Sequence, residues 1–312
     1  IRNNSYLGKK GYTILKSSLS EEDQKALYEE LNVKPVSSGV VYNAAQDQGQ
    51  FPVYRENAKK IYIPRFYGTE RYGLPNRSEI TEGEDINVTF PKPLRDYQDK
   101  IVDVYMNHIS QPICSESDKK GNGGILEVPC GRGKTVLSLK IISLLQKKTL
   151  IIVHKEFLMN QWIDRANEFL PGAKIGKIQG PVFDVEGKDV VIGMLQTLYD
   201  RALPENAFDC FGLTIIDEVH RIGSEQFSKT LLRVASPNML GISATVDRKD
   251  KLTCVLYMFI GPKIYTEERK DEDPVCVRAL EYIAADPQFN ETEYDFKGQA
   301  KYSTMISKLC EF

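Results

Sequence analysis

The sequence predicts an α/β fold in which a parallel β-sheet lies between helices, preceded by a small α+β domain. From about residue 96 to residue 264, short apolar runs alternate with longer stretches that suit helices, as in a parallel sheet covered on both faces. Residues 1 to about 90 contain tyrosines, prolines and polar turns without that alternation. A chain of 312 residues is long enough for about two such domains.

Five apolar runs are the predicted strands of the parallel sheet. Each is short and largely apolar, as expected of strands that are buried on both faces. They are residues 125–128, 150–153, 190–193, 213–217 and 240–243, and the predicted helices between them include 136–145, 157–169 and 225–234.

The N-terminal segment contains one clear helix signal. Ser20 precedes three acidic residues, and Leu27 and Leu31 follow on one helical face, so Ser20 is predicted to cap a helix with Asp23 completing the capping arrangement. Residues 76–93 are polar and interrupted by glycine and proline, which favours a linker. Residues 110–124 are predicted to form an exposed loop.

Composition limits the chemistry and the compartment. The 41 basic and 43 acidic residues give a net charge of −2, so a nucleic-acid surface would have to be local. Six cysteines without a CxxC pair and only three histidines predict neither a zinc site nor a disulfide framework. No apolar run could span a membrane, so we expect no membrane partner. Because the chain begins at Ile1, we expect a piece of a longer protein.

A glycine-rich loop follows the first predicted strand of the sheet. Strand, glycine turn and helix form a phosphate-binding cradle, in which backbone N–H groups at the helix start hold the phosphates of ATP. Lys134 is expected to reach the β and γ phosphates, and the Thr135 hydroxyl to bind Mg²⁺. Val128 replaces the first glycine of the usual GxxxxGK(S/T) pattern. The loop residues are Pro129, Cys130, Gly131, Arg132, Gly133, Lys134 and Thr135.

An acidic box, Asp217-Glu218-Val219-His220, ends another predicted strand. Asp217 is expected to hold Mg²⁺, and Glu218 to orient the attacking water as general base. The two motifs together predict NTP hydrolysis, whereas a glycine turn without a ligand is the alternative. Cys130 lies in the phosphate loop, where a disulfide would disturb nucleotide binding. We therefore expect a reducing intracellular compartment, such as the cytoplasm, the nucleus or a viral factory.

Further segments occur in a fixed order along the chain: LRDYQ at 94–98, HKEFLMNQW at 154–162, VVIGMLQTL at 190–198, GISAT at 241–245 and IGPKIY at 260–265. With the two motifs above, this set resembles superfamily 2 DNA helicases of the XPB-like and UvsW-like group, which includes viral and phage members. The resemblance covers residues 94–265. It implies a RecA-like lobe and an ATP-dependent DNA helicase or translocase in transcription or repair, and we expect a large-DNA-virus member.

The resemblance also implies residue roles. Gln98 would bond the adenine edge with support from Arg95, and His220 would be the partner of the SAT segment. HKEFLMNQW departs from the family's PTKxLxxQW pattern at its Pro-Thr pair, and Lys249 departs from the Arg-Glu-Asp pattern. The implied nucleic-acid contacts are Lys155, Gln161, Gly180 and Thr197, and the implied coupling residues are Ser243, Ala244, Thr245, Arg248 and Asp250.

The resemblance implies a second RecA-like lobe, but the sequence after Tyr265 contains no motif of such a lobe. We predict an accessory domain at 1–90, the first lobe at 91–265 and a connector at 266–312. Basic and aromatic residues alternate between Tyr54 and Arg77, which fits DNA binding and equally a tyrosine-rich packed sheet. Trp162 is predicted to pack in the core.

Two alternative functions stay open from the sequence: a nucleotide-gated DNA-binding scaffold without motor activity, and an RNA helicase. Transcription or repair proteins are expected partners, and the oligomeric state is left open.

Overall fold

A computed structural model describes residues 1–35, 49–75, 77–110, 123–221, 225–247, 252–267, 278–279, 291–296 and 298–310. The chain divides into two compact units, Ile1–Glu268 and Arg269–Phe312. The second unit contains one described helix, Tyr302–Leu309. None of the described helices is long and apolar enough to cross a membrane.

The N-terminal part of the first unit is a four-stranded antiparallel sheet with two helices. The elements are β1 (Ser5–Gly8), β2 (Gly11–Leu15), α1 (Glu21–Leu31), β3 (Asn32–Val33), β4 (Phe51–Pro52), β5 (Arg55–Glu56), β6 (Lys60–Ile63) and α2 (Arg65–Tyr72). The strand order of the sheet is β1-β2-β6-β5, and β3 pairs with β4 separately. Tyr12 lies opposite Ile63 and Ile14 lies opposite Ile61, and all four side chains are buried.

The predicted cap of α1 is confirmed. The Asp23 backbone N–H donates to Ser20 Oγ at 3.0 Å, which satisfies one of the free N–H groups at the helix start. Leu27 and Leu31, four residues apart on one face of the helix, are fully buried. These side chains belong to a hydrophobic core that also includes residues of the second sheet, such as Ile125 and Leu150.

The second sheet and its helices follow in the chain. Their elements are α3 (Asp96–Ser110), β7 (Gly123–Glu127), α4 (Lys134–Leu145), β8 (Thr149–Val153), α5 (Glu156–Phe169), β9 (Ile175–Gln179), β10 (Val182–Phe183), β11 (Val190–Met194), α6 (Leu195–Asp200), β12 (Leu213–Asp217), α7 (Glu225–Leu231), β13 (Asn238–Ser243), α8 (Thr253–Ile260) and β14 (Lys263–Thr266). The eight strands have the order β10-β9-β11-β8-β12-β13-β7-β14, and every neighbouring pair except β10 with β9 is parallel. The predicted sheet between helices is confirmed.

All five predicted strands are present with ends shifted by no more than a few residues, but three strands were missed. β9 lies near the sheet edge and exposes Lys177, so it lacks the continuous apolar run that marks the central strands. β10 has only two residues, and none of the four residues of β14 is fully buried, so neither strand shows a continuous apolar run. Helix α7 ends at Leu231, three residues before its predicted end.

The described part of the predicted linker is held against the lobe by backbone hydrogen bonds. Glu84 N–H donates to Cys210 O at 2.8 Å, and Lys148 N–H donates to Glu84 O at 2.8 Å. Gly83 directly precedes Glu84 and has φ +72°. A Cβ at this position would lie 2.2 Å from Gly212 N. Glycine at this position therefore allows the linker to approach the lobe backbone.

Replacing Gly83 with alanine should destabilise the fold for two reasons. The new methyl group would clash with the backbone of Gly212, and alanine would have to adopt a left-handed conformation. Gly172→Ala is the matched control, since Gly172 has φ +84° with open space around its Cβ position. We expect about 1 to 2 kcal/mol loss for Gly172→Ala from the backbone alone, and a larger loss for Gly83→Ala, both measured by urea unfolding. Equal losses would mean that the close approach has no energetic role.

Candidate nucleotide and nucleic-acid site

Three neighbouring parallel strands bring the two sequence motifs to one edge of the sheet. The phosphate loop follows β7, the acidic box begins at the end of β12, and β13 lies between these strands and ends at Ser243. Ligands of open α/β sheets bind at the carboxyl ends of such strands. The pairing therefore places a nucleotide site at this edge.

The phosphate loop turns on two glycines. Gly131 has φ +83° and Gly133 has φ +84°, so both adopt the left-handed conformation that glycine tolerates. Val128 occupies the position of the missing first glycine. Its side chain is fully buried, and its N–H donates to Ser243 O at 2.8 Å. The chain is thus still hydrogen-bonded to β13 at this position, and the turn begins only after Pro129.

Gln98 lies directly behind the phosphate loop. Its Nε2 donates to Arg132 O at 3.1 Å, and its Oε1 accepts from Arg95 N at 3.0 Å. A Cβ at Gly133 would lie 2.5 Å from Gln98 Nε2. The structure therefore brings Arg95 and Gln98 to the loop, while their contact with adenine stays a prediction. The Arg132 guanidinium lies over the Tyr97 ring at 5.3 Å and pairs with Glu267 at 3.5 Å.

Lys134 and Glu218 face each other across the site. Lys134 Nζ lies 3.6 Å from Glu218 Oε1 and 4.0 Å from the sulfur of Cys130, which is exposed. Glu218 has φ +52°, a conformation that costs a non-glycine residue about 1 to 3 kcal/mol. Such strain is concentrated at functional sites, where it holds a side chain in a required direction. Here it accompanies a carboxylate that faces the phosphate loop.

Asp217 is the buried carboxylate of the site, with 6% of its surface exposed. Trp162 Nε1 donates to Asp217 Oδ2 at 2.8 Å from helix α5. Burial raises the pKa of Asp217, and the Trp162 hydrogen bond acts in the opposite direction. Trp162 is in the core as predicted, with 1% exposure. Its polar contact was missed, because no sequence pattern indicates which buried indole N–H meets which carboxylate.

The structure brings His220 and Ser243 into contact, as the resemblance implies. His220 Nδ1 lies 2.7 Å from Ser243 Oγ and 3.2 Å from Glu218 Oε2. Ser243 Oγ also lies 2.7 Å from Thr245 O and 3.5 Å from Glu218 Oε2. These contacts join the acidic box to the Ser243-Ala244-Thr245 segment. Arg248, Lys249 and Asp250 lie outside the described residues.

Glu127 is a further polar group of this edge that sequence reasoning missed. Its carboxylate accepts from Val246 N at 2.8 Å, Lys263 Nζ at 2.9 Å and Thr266 Oγ1 at 3.2 Å. The pKa of Glu127 is below its usual value. Burial alone would raise this pKa, but the polar contacts of the carboxylate, above all the hydrogen bonds from Lys263 and Val246, together lower it by more. Glu127 thus ties the strand before the phosphate loop to the segment after the SAT residues and to β14.

The predicted nucleic-acid residues lie after three other parallel strands of the sheet. Lys155 follows β8, Gly180 follows β9 and Thr197 follows β11, and these strands are neighbours in the sheet. Gly180 N–H donates to Thr197 Oγ1 at 2.9 Å. Lys155 and Gln161 are exposed at and near the start of α5. These four residues therefore lie on or beside the same sheet edge as the nucleotide motifs.

Most of the described basic and aromatic residues between Tyr54 and Arg77 have partners within the protein. Arg65 donates to Ser236 O at 3.2 Å and to Pro237 O at 2.8 Å, which joins α2 to the lobe. Arg71 pairs with Glu30 at 2.5 Å. The Tyr54 ring packs on Tyr28 with centroids 5.3 Å apart. Packing therefore accounts for much of this composition.

The donor atoms at the site suit Mg²⁺. Thr135 supplies a hydroxyl at the helix start, and Asp217 supplies a carboxylate of which Oδ2 is already hydrogen-bonded by Trp162. Mg²⁺ prefers oxygen ligands and is commonly held by one or two carboxylates together with substrate phosphates. The residues present therefore fit this ion.

The fold and the arrangement of motifs define the nucleotide-binding lobe of a superfamily 2 helicase. Residues 91–248 match the family described as Type III restriction enzyme, res subunit, and the chain belongs to this family. The resemblance inferred from the sequence is thereby confirmed.

Two relatives and one solved structure illustrate the similarity. A mimivirus protein (Acanthamoeba polyphaga mimivirus) named "Putative ATP-dependent RNA helicase" is 30% identical over 287 residues, covering 91% of this chain and 53% of the relative. The "DNA 3'-5' translocase XPB2" of Sulfurisphaera tokodaii is 31% identical over 211 residues, covering 64% and 43%. The chain therefore spans about half the length of these relatives. The UvsW helicase of bacteriophage T4 shares the fold, with TM-score 0.52 and 17% identity over 79% of this chain and 94% of that structure.

Trp162→Phe should destabilise the protein by about 1 to 3 kcal/mol, because it keeps an aromatic ring in the core but removes the donor to a buried carboxylate. Urea unfolding of Trp162→Phe, Asp217→Ala and the double variant measures the interaction as a double-mutant cycle. We expect a clear coupling energy. Additive losses would show that Trp162 contributes packing alone.

Proposed function

We propose that this chain is the N-terminal half of an ATP- and Mg²⁺-dependent DNA helicase or translocase that acts in transcription or repair. The observation that carries the proposal is the meeting of Lys134, Glu218 and the His220–Ser243 contact at one edge of the sheet. Lys134 and Glu218 are groups that phosphoryl transfer needs. The His220–Ser243 contact supplies a link from them to the neighbouring strand.

Each residue has a distinct part in the proposed reaction. The backbone of the phosphate loop and Lys134 bind the β and γ phosphates, and Glu218 orients a water for in-line attack. Thr135 and Asp217 would hold Mg²⁺, which when bound neutralises charge on the phosphates. Trp162 holds the Asp217 carboxylate in a fixed orientation through its N–H.

The coupling proposed for Ser243 has a direct route. Ser243 touches His220, and His220 touches the carboxylate of Glu218, so a change at the phosphates can reach the end of β13 through two contacts. The segment after Ser243 is bonded to Glu127 through Val246 N. A shift of this segment would therefore also displace Glu127, the last residue of β7 before the phosphate loop.

DNA is the preferred substrate in this proposal, and RNA is the second candidate. The Sulfurisphaera relative is named a DNA translocase, whereas the mimivirus relative is named an RNA helicase. The DNA-directed resemblance of PCGRGKT and DEVH favours DNA. A nucleotide-gated scaffold without motor activity is the remaining alternative, and it predicts ATP-dependent binding of DNA without turnover.

A second lobe supplied by the rest of the protein is part of the proposal. The chain covers only about half of its relatives, and arginines contributed across an ATP site can be worth about 10³ to 10⁵ in rate. The 312-residue chain is therefore expected to bind ATP and to hydrolyse it slowly.

Lys134→Ala should abolish tight ATP binding, because it removes the cation that reaches the phosphates. Glu218→Gln should keep ATP binding but abolish turnover in the full-length protein, because the amide cannot act as a base. Fluorescent-nucleotide titration and steady-state ATPase assays measure the two effects. Normal turnover by Glu218→Gln would remove Glu218 from the role of general base.

Duplex DNA, single-stranded DNA and RNA should differ in their effect on the ATPase rate of the full-length protein. We expect DNA to raise the ATPase rate, and we expect the full-length protein to be far more active than the 312-residue chain. Stronger stimulation by RNA would select the second candidate. No hydrolysis by either protein with any nucleic acid would leave the scaffold as the function.

A further inference from the structure

A cavity of about 270 Å³ lies between the N-terminal sheet and the segment that follows α6. Liquid water occupies about 30 Å³ per molecule, so the cavity has room for a phosphate group and bound water. Its polar lining consists of four cations and one carboxylate: Lys9, Lys10, Arg55, Arg233 and Glu205. None of these residues belongs to the nucleotide motifs.

The two arginines bond to protein carbonyls and have no carboxylate partner among the described residues. Arg55 Nη2 donates to Lys229 O at 2.9 Å. Arg233 Nη1 donates to Leu198 O at 3.1 Å and to Arg201 O at 3.0 Å. The remaining nitrogens of both guanidiniums have no acceptor in the described part of the protein. Carbonyl oxygens orient the guanidiniums but do not neutralise their charge.

The two like charges are close enough to affect each other. Burial, and then the charge of Arg233, lower the pKa of Arg55. Bringing two half-buried cations to one cavity costs free energy unless an anion joins them. Arginine is the side chain best suited to binding phosphate through paired N–H groups.

The lysines of the cavity have acidic partners at the surface. Lys9 pairs with Asp209, and Lys10 pairs with Glu205 at 2.6 Å, where 71% of the Glu205 side chain is exposed. The Lys9–Asp209 pair is half-buried, whereas the carboxylate of the Lys10–Glu205 pair is exposed, and an exposed pair of this kind contributes little to stability. The four cations therefore outweigh the two carboxylates around the cavity.

The cavity lies next to the predicted nucleic-acid contacts. Helix α6 begins two residues before Thr197, and Arg233 bonds to carbonyls at its C-terminal end. Six helical residues span about 9 Å. Arg201, at the same end, donates to Pro181 O at 3.0 Å beside Gly180. Thr197 is the third residue of this helix, and the next residue, Leu198, supplies one of the carbonyls that Arg233 contacts.

We propose that Arg55 and Arg233, with Lys9 and Lys10, form a phosphodiester-binding site that extends the nucleic-acid surface from Thr197 onto the N-terminal sheet. That the ligand is a nucleic acid rests on the proposed function above. The four residues assigned to this site have no role in that function. Because the ligand is the backbone, the site strengthens binding without selecting sequence.

The test is the salt dependence of binding of labelled duplex DNA to the 312-residue chain and to Arg55→Gln and Arg233→Gln. Lys25→Gln is the matched control, since it removes the same charge from an exposed position on α1 outside the cavity. We expect each arginine variant to bind several-fold more weakly and to lower the slope of log K against log salt by about one. Lys25→Gln should match the wild type.

Thermal unfolding separates this role from a structural one. Arg55→Gln relieves repulsion between two cations, so its unfolding midpoint should be unchanged or higher while DNA binding falls. A lower midpoint together with unchanged DNA affinity would overturn the proposal in favour of a structural role.

A second arm titrates inorganic phosphate by calorimetry, with the phosphate loop filled by a non-hydrolysable ATP analogue. Unchanged DNA binding with a lost phosphate signal in both arginine variants would keep the anion site but assign it to free phosphate. Unchanged signals in both arms would overturn the site. If the wild type binds no nucleic acid, the proposed function fails, and the phosphate arm alone decides the cavity.

Discussion

Parallel pairing of β13 with β12 on one side and β7 on the other is the constraint on which the site depends. Asp217 lies opposite Ile242 and Ser243 lies opposite Glu127 in these pairs. A slip of one residue would turn these side chains to the opposite face of the sheet. The relative position of the phosphate loop, the acidic box and Ser243 is therefore fixed by backbone hydrogen bonds, before any side chain contributes.

The buried apolar strands made this part of the fold predictable. A run such as 213–216 is short, fully buried and followed by two carboxylates, Asp217 and Glu218, so both its strand structure and the position of the carboxylates at the end of the strand follow from the sequence. β9 and β14 could not be found in the same way. Their side chains are only partly buried, so neither strand shows the continuous apolar run of a central strand. β14 also pairs with β7, a strand far from it in the chain.

The side-chain contacts of the site also divide into those that the sequence predicts and those that it does not. The resemblance to superfamily 2 helicases implied the contact of His220 with the segment that begins at Ser243, and the structure contains it. The Trp162–Asp217 bond and the contacts of Glu127 were not expected, because each joins residues far apart in sequence through the packing of different elements. Tertiary packing decides which donor reaches a buried carboxylate, and local sequence does not encode that choice.

Uncompensated charge distinguishes the cavity beside α6 from the other basic positions of the N-terminal sheet. Arg71 has Glu30 as a partner, and Arg65 uses its donors on two lobe carbonyls, so both are explained by the protein itself. Arg55 and Arg233 also bond to carbonyls, but they share one cavity and lack a carboxylate among the described residues. The carbonyl hydrogen bonds orient the two arginines but do not remove the repulsion between their charges. In the proposed phosphodiester site a polyanion would remove it, and because the arginines are held in place before the ligand arrives, less conformational entropy is lost on binding.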